Sequence, residues 1–222
     1  MTLEAVVFDF DGLIIDSEWM IYEAALNAFA THGHKLPLEA WATIIGTNSR
    51  TDPDWWVNLC RAAGVTDFAE ADFDATYREL RREDFDDMPA LPGVVDLVAD
   101  LRAAGVPLGI ASSSSRGWID RHVTRLGLDS SFDTLVGSDT VGGVGKPNPD
   151  VYLRACSDLG ADPTRSVALE DSAHGVAAAK AAGMRAVGIP SRITVHNDFS
   201  QADLVVDSLE DLSAARLRSL IA

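Results

Sequence analysis

Apolar residues recur along this chain in two rhythms. The first is a short unbroken run, Ala5-Val6-Val7-Phe8, with nothing polar alternating inside it. Such a run predicts a strand covered on both faces, the usual state of a strand in a parallel sheet. From Gly93 onward, runs of this kind alternate with helical stripes. Val94, Leu97, Val98 and Leu101 fall at i, i+3, i+4 and i+7 and share one helix face. Pro92 precedes that stripe and Gly105 ends it. Further strands are expected at 106–111, 132–136, 166–169, 185–189 and 204–206. Between them lie helices carried by Ile119, Val123 and Leu126, by Val151, Ala155 and Leu159, and by residues 173–182. A last helix is expected over 209–220. This alternation predicts an α/β fold, a doubly wound parallel sheet with helices on both faces.

Residues 17–88 break the rhythm. Helical patterning covers 19–30, 38–45, 55–63 and 73–82, and no run there reads as a strand. An all-helical insert is therefore expected at 17–88, splitting an α/β core made of 1–16 and 89–222. Connectors near 12–16 and 86–92 would join the two parts and form a plausible hinge. Trp41, Trp55 and Trp56 are expected in the insert's core rather than as a stacking platform.

Composition narrows the class. The chain has 222 residues, 47% hydrophobic and 23% charged, which suits a globular chain with a sizeable core and excludes wholesale disorder. No apolar run approaches the roughly 20 residues of a membrane helix, and the first residues lack the basic region of a secretory signal. Cys60 and Cys156 have no metal-ligand spacing, so a cytoplasmic home is expected. Acidic residues number 34 against 18 Lys+Arg, a net charge of −16. That field repels nucleic acid and anionic membranes, so neither is an expected partner. Part of the excess is local, with nine acidic residues and three Arg in 66–88, read as a solvated helix face.

The charge makes the strand ends more informative. In an open parallel sheet the ligand site lies at the carboxyl ends of the strands. Asp9 and Asp11 follow the first strand, Ser112-Ser113-Ser114-Ser115 the second, Lys146 lies beyond the third, and Glu170-Asp171 follow the fourth. One such residue is commonly a helix cap, as Asp171 or Ser172 could be. Four segments at one rim are harder to explain as caps. Crowded carboxylates with one cation need a counterion, or they neutralise. Oxygen ligands with room for water and phosphate favour Mg²⁺. The metal and Lys146 would then form a positive phosphate pocket in a negative protein.

Asp9 and Asp11, at i and i+2 on extended backbone, point to the same side. One can attack phosphorus while the other exchanges a proton with the leaving oxygen. Ser112, with the amides after it, can hold the transferring oxygens, and Lys146 can neutralise transition-state charge. Other motifs fail. The glycine of Asp9-Phe10-Asp11-Gly12 stands at the fourth place, where a calcium loop needs it at the sixth. Gly142-Gly143-Val144-Gly145-Lys146-Pro147 lacks the first P-loop glycine and has Pro147 where Ser or Thr would hold magnesium. Neither a G-x-G-x-x-G after the first strand nor a G-x-S-x-G elbow is present.

These residues resemble the haloacid dehalogenase-like superfamily of phosphohydrolases. Asp9-Phe10-Asp11-Gly12-Leu13-Ile14-Ile15-Asp16-Ser17-Glu18 resembles its nucleophile loop, and Ile110-Ala111-Ser112 its second motif. Lys146-Pro147 with Asn148-Pro149-Asp150 resembles the third motif, and Leu169-Glu170-Asp171-Ser172 the fourth. The helical insert is similar to the cap of the subgroup containing β-phosphoglucomutase and many small sugar-phosphate phosphatases. The resemblance implies a Rossmann-type core with an inserted helical cap domain. It implies Asp9 as nucleophile and metal ligand, and Asp11 as acid/base lending its backbone carbonyl to the metal. Asp171 would ligate the metal, with Glu170 doing so directly or through water. Ser112, Ser113 and Lys146 would bind phosphate.

The expected activity is Mg²⁺-dependent hydrolysis of a small phosphorylated metabolite, a sugar phosphate, through an aspartyl-phosphate, by a monomer or small homo-oligomer. Asp11 favours phosphoryl chemistry over carbon–halogen cleavage. The mutases of the subgroup carry a cap His shortly after the first motif, whereas this chain reads Trp19-Met20-Ile21-Tyr22. That disfavours the first alternative, a sugar-phosphate mutase. The second alternative, a non-catalytic metal- and phosphate-binding regulator, sits poorly with a complete set of chemical residues. Gly46-Thr47-Asn48-Ser49-Arg50 is a polar loop between helical stretches, and Arg50 is the candidate specificity residue; an ordinary turn explains the loop equally well.

Overall fold

Val6 and Phe8 face one layer of helices and Val7 faces another, so the first strand is apolar on both sides. The computed structural model describes residues 2–44, 54–67, 70–80 and 87–221. Strand β1 (Ala5–Phe8) lies inside a six-stranded sheet with β2 (Leu108–Ser112), β3 (Thr134–Gly137), β4 (Ser166–Glu170), β5 (Arg185–Gly188) and β6 (Leu204–Val205). Every strand pairing is parallel, in the order β3-β2-β1-β4-β5-β6. The chain steps one way from β1 to β2 and β3, then returns past β1 to β4, so the switch point falls at β1.

Outside the sheet, helices α1 (Ser17–Thr31), α2 (Leu38–Ala42), α3 (Trp55–Ala62) and α4 (Glu70–Leu80) come first. Then come α5 (Val94–Ala103), α6 (Arg116–Arg125), α7 (Asp150–Leu159), α8 (Ala173–Ala181) and α9 (Ala214–Ser219). Val94, Leu97, Val98 and Leu101 of α5 join Ile119 and Val123 of α6 and Leu217 of α9 against one sheet face. Val151, Tyr152 and Ala155 of α7 with Val176, Ala178 and Ala179 of α8 cover the other. The expected fold class is the observed one.

The helical insert has an apolar cluster of its own, containing Phe29, Trp41, Trp55, Trp56, Leu59, Phe73 and Tyr77. Trp41 meets Trp55 edge-on at 5.6 Å, and Trp55 meets Trp56 edge-on at 5.0 Å. These tryptophans are packing residues, as expected from the sequence. Among the described residues, one from outside the insert enters the cluster: Ile193, in the loop after β5. The two chain passages between sheet and insert run together, with Leu91 N–H donating to Ile14 O at 2.8 Å.

Element ends depart from the sequence reading where capping groups intervene. The third strand starts two residues late, because residues 129–131 form a 3-10 turn and the Asp133 side chain takes the Leu108 N–H at 2.9 Å. The helix expected over 209–220 is two pieces. A 3-10 turn capped by Ser208 covers Leu209–Asp211, and α9 begins afresh where the Ser213 side chain accepts from Arg216 N–H. Among the described residues of the insert there is no strand. The loop 46–50, with Arg50, lies outside the described residues, as do 81–82 at the end of the fourth expected insert helix.

Candidate active site

The loop after β1 folds back tightly. Phe10 O accepts from Ile14 N–H at 2.9 Å, and Gly12 N–H donates to Ile15 O at 2.8 Å. Gly12 has φ +87°, a left-handed conformation that favours glycine. A Cβ there would stand 2.2 Å from Asp171 Oδ2, so the turn is open only to a residue without one. Gly175 makes a second close approach. A Cβ on it would sit 1.9 Å from the Glu170 carboxyl carbon, so the first turn of α8 lies directly on that carboxylate. Ser172 caps α8 by accepting from Gly175 N–H at 3.1 Å, and its hydroxyl also donates to Glu170 Oε2 at 3.2 Å.

The floor of the site is dense in charge. Asp9 is 6% exposed, Lys146 6%, Asp171 2% and Glu170 fully buried. The Lys146 ammonium bonds Asp9 Oδ1 directly and Glu170 Oε1 at 2.5 Å. Tyr152, on α7, donates its hydroxyl to the same Glu170 oxygen at 2.5 Å, and its ring lies 4.9 Å from the Lys146 nitrogen. Burial pushes the Asp9 carboxyl up to about 7; Lys146 opposes the rise and Glu170 adds to it. Burial, then Asp9 and Glu170, push Asp171 well above the usual carboxylate range. Burial works against the Lys146 ammonium, but Asp9 and Glu170 outweigh it and raise its pKa. The Tyr152 phenol is raised by burial and by Glu170, so it stays protonated and donates.

Two carboxylates thus pair with one ammonium, and a third lies beside them. One ligand oxygen from each of Asp9, Glu170 and Asp171 lies within 4.8 Å of the others. Asp171 Oδ2 is buried with no hydrogen-bond partner. A buried carboxylate oxygen without a partner is unfavourable, and a cation removes that penalty. The set is all oxygen and carries excess negative charge, which fits a hard divalent ion.

The wall beside this floor is built from neutral donors around Asp11. Its Oδ1 accepts from Ser17 Oγ at 2.6 Å and from Trp118 Nε1 at 3.0 Å. Its Oδ2 accepts from Ser114 Oγ at 2.7 Å and Ser112 Oγ at 3.3 Å. Ser112 Oγ also accepts from Ser114 N–H at 3.0 Å. The Ser113 hydroxyl accepts from Lys146 N–H at 3.2 Å and ties the two loops together.

The structure therefore brings Asp9, Asp11, Ser112, Ser113, Lys146, Glu170 and Asp171 to one rim, from the ends of β1, β2 and β4 and the loop before α7. Sequence reasoning missed Ser17, Ser114, Trp118 and Tyr152. Ser114 carried a signal, standing two residues past Ser112 in the same serine run. Trp118 and Tyr152 carried none, because each reaches the rim from a helix whose rotation the sequence does not fix.

The family model for haloacid dehalogenase-like hydrolases matches residues 6–189. Hexitol phosphatase B of Escherichia coli (strain K12) is 34% identical over 226 residues, with 96% of each chain covered. Protein CbbY of Rhodobacter capsulatus is 32% identical over 227 residues, covering 99% of this chain and 98% of the relative. Crystal structures of CbbY from Rhodobacter sphaeroides superpose with a TM-score of 0.75 at 29% identity, covering 97% of this chain and 99% of theirs. One contains phosphate, and the other, of a variant, contains xylulose-(1,5)bisphosphate. Motif order, sheet and carboxylate rim agree with these matches, and the chain belongs to the haloacid dehalogenase-like hydrolase family.

Proposed function

We propose that this chain is a Mg²⁺-dependent phosphomonoesterase acting on a small phosphorylated metabolite of the sugar-phosphate class. The observation that carries this reading is the Asp9–Lys146–Glu170 array beside the unpartnered oxygen of Asp171. Relatives add support: one is named for hexitol phosphates, and another binds xylulose-(1,5)bisphosphate in its crystal.

Asp9, Glu170, Asp171 and the Asp11 backbone carbonyl would hold the ion. Bound there, Mg²⁺ supplies positive charge that stabilises phosphoryl oxygens in transfer. Lys146 adds a second positive charge on the same side as Asp9, and Ser112 and Ser113 with their amides orient the phosphate. A carboxylate oxygen of Asp9 attacks phosphorus, the P–O bond to the ester oxygen breaks, and that oxygen takes a proton from Asp11. Water then attacks phosphorus and gives a proton to Asp11. The P–O bond to Asp9 breaks, releasing inorganic phosphate and the free carboxylate. The insert, residues 17–88, would serve as a cap that shields the intermediate and contributes the specificity residues, Arg50 among them. The enzyme would act in the cytoplasm, which suits two cysteines that are both free and buried. Among the described residues, no helix is long and apolar enough to cross a membrane.

The test is phosphate release across phosphorylated sugars, hexitols, nucleotides and small acids, with Mg²⁺ and with EDTA. Release that needs Mg²⁺ and favours sugar or hexitol phosphates is expected. Inertness across the panel sinks the reading. Conversion of β-glucose 1-phosphate to glucose 6-phosphate, without phosphate release, moves it to a mutase.

A further inference from the structure

Among the described residues, Asp11 is the one carboxylate at the rim surrounded by uncharged donors, and those donors are divided between its two oxygens. Ser17 and Trp118 bond Oδ1, while Ser112 and Ser114 bond Oδ2. The four are chemically unequal. A serine hydroxyl rotates and can donate or accept, whereas an indole N–H only donates and moves only with its ring. The Trp118 ring is held. It belongs to the first turn of α6, where its own backbone N–H bonds the Ser115 cap at 3.4 Å. It meets the His122 ring in an edge-type contact, with centroids 4.2 Å apart at 61°. His122 is fully buried, and its Nδ1 accepts from Arg125 Nε at 3.3 Å. The indole donor therefore stands on a fixed base one helical turn deep.

We infer that Trp118 is a positioning residue for the proton-transfer step. Its N–H anchors Oδ1 of Asp11, so that Oδ2 is the oxygen that exchanges the proton with the ester oxygen and with water. The inference rests on the phosphatase reading above and extends it to an assignment of work within one carboxylate. Oδ2 faces the serine run that would hold the phosphate. When an ester arrives, the Ser112 hydroxyl turns to the phosphoryl oxygens, and the protonated Oδ2 it leaves is free to donate to the leaving oxygen. Oδ1, held by Trp118 and Ser17, keeps the plane of the carboxylate as that exchange happens. No bond is made or broken by Trp118 itself. The proton passes from Oδ2 to the ester oxygen in the first half-reaction and returns to Oδ2 from water in the second.

A residue acting through the general acid has a kinetic signature that a merely structural residue lacks. Esters with poor leaving groups depend on the proton, and esters with good ones depend on it much less. The test compares kcat/KM for phenyl phosphate and 4-nitrophenyl phosphate in the wild type, Trp118→Phe, Asp11→Asn and the double variant, all with saturating Mg²⁺. Trp118→Phe keeps an aromatic ring on His122 and removes the donor. It should lower kcat/KM for both esters, with a loss on phenyl phosphate about tenfold greater than that on 4-nitrophenyl phosphate. In the Asp11→Asn background the same substitution should add less than about twofold, because residues that act as a unit are not additive.

Equal losses on the two esters, or full additivity with Asp11→Asn, would overturn the inference while leaving the phosphatase reading intact. A wild type that turns over neither these esters nor the metabolite panel overturns both. If Trp118→Phe melts far below the wild type, 3-benzothienylalanine at position 118 replaces it. That side chain keeps the indole's shape with sulfur in place of N–H, and the same pair of ratios decides.

Discussion

The floor of the site and its wall both begin from the end of β1, two residues apart, yet they solve opposite problems. On the floor, Asp9 shares a buried space with Glu170 and Asp171, and among the described residues one ammonium, Lys146, bonds to Asp9 and Glu170. On the wall, Asp11 meets three hydroxyls and an indole, all neutral. Burial and like charge push the Asp9 and Asp171 carboxyls towards protonation, so the floor calls for a cation. The wall needs none, because its carboxylate is matched by hydrogen bonds. Identical side chains thus acquire different chemistry from their surroundings alone.

Breaking the floor should have the largest effect. Asp9→Asn removes the nucleophile without changing its size, and turnover should fall by more than about 10⁴-fold, the scale seen when a covalent nucleophile is lost. Steady-state phosphate release measures this, and near wild-type rates would reassign the nucleophile. Lys146→Ala should lower kcat by about 10²–10³-fold, as expected for losing a preorganised charge at a transferring group. An unchanged kcat/KM would remove Lys146 from the reacting centre.

The floor's dependence on a cation should also appear in thermal stability. In the metal-free protein the Asp9 carboxyl rises from its ordinary 3.8 to about 7, and Asp171 rises as well. A raised carboxyl pKa means that the folded state binds more protons than the unfolded one. The associated stability is present below the ordinary carboxyl range and is lost as pH rises through about 7. In EDTA, Tm should therefore fall by several degrees between pH 5.5 and pH 8, and added Mg²⁺ should raise Tm more at pH 8 than at pH 5.5. Differential scanning fluorimetry in both buffers checks this. A Mg²⁺ increment that is the same at both pH values would separate ion binding from the titration of these carboxyls.

Most of the sheet was legible because its strands are buried on both sides, and buried strands write themselves as unbroken apolar runs. The strand-end motifs were legible for a related reason: the termini of parallel strands share one rim, so Asp9, Ser112 and Glu170 had to converge. The end of the chain was read less well. A continuous apolar stripe over 209–220 conceals the break at Ser213, where a local side-chain cap starts a new helix. Trp118 shows a different limit. Its place on a helix was readable, but its bond to Asp11 depends on how α6 is rotated against the sheet, and that rotation is set by the burial of Ile119 and Val123 in the core. The Ser113 hydroxyl, expected at the phosphate, is engaged with the Lys146 backbone, a contact between loops 33 positions apart that spacing does not encode.

The short loop after β5 touches three things at once. Thr194 donates its hydroxyl to Asp171 O at 2.5 Å, and Ile193, 1% exposed, is inserted among the apolar side chains of α1–α4. Arg192 pairs with Asp16 at 2.5 Å and lies 3.8 Å over the Trp19 ring. The four-helix module is consequently pegged to the backbone of a carboxylate at the rim. Any swing of α1 away from the sheet must either pull that peg, exposing an isoleucine at about 1.5–3 kcal/mol, or drag the Asp171 carbonyl with it. Movement of α1 and the position of the Asp171 carbonyl are in this way mechanically geared.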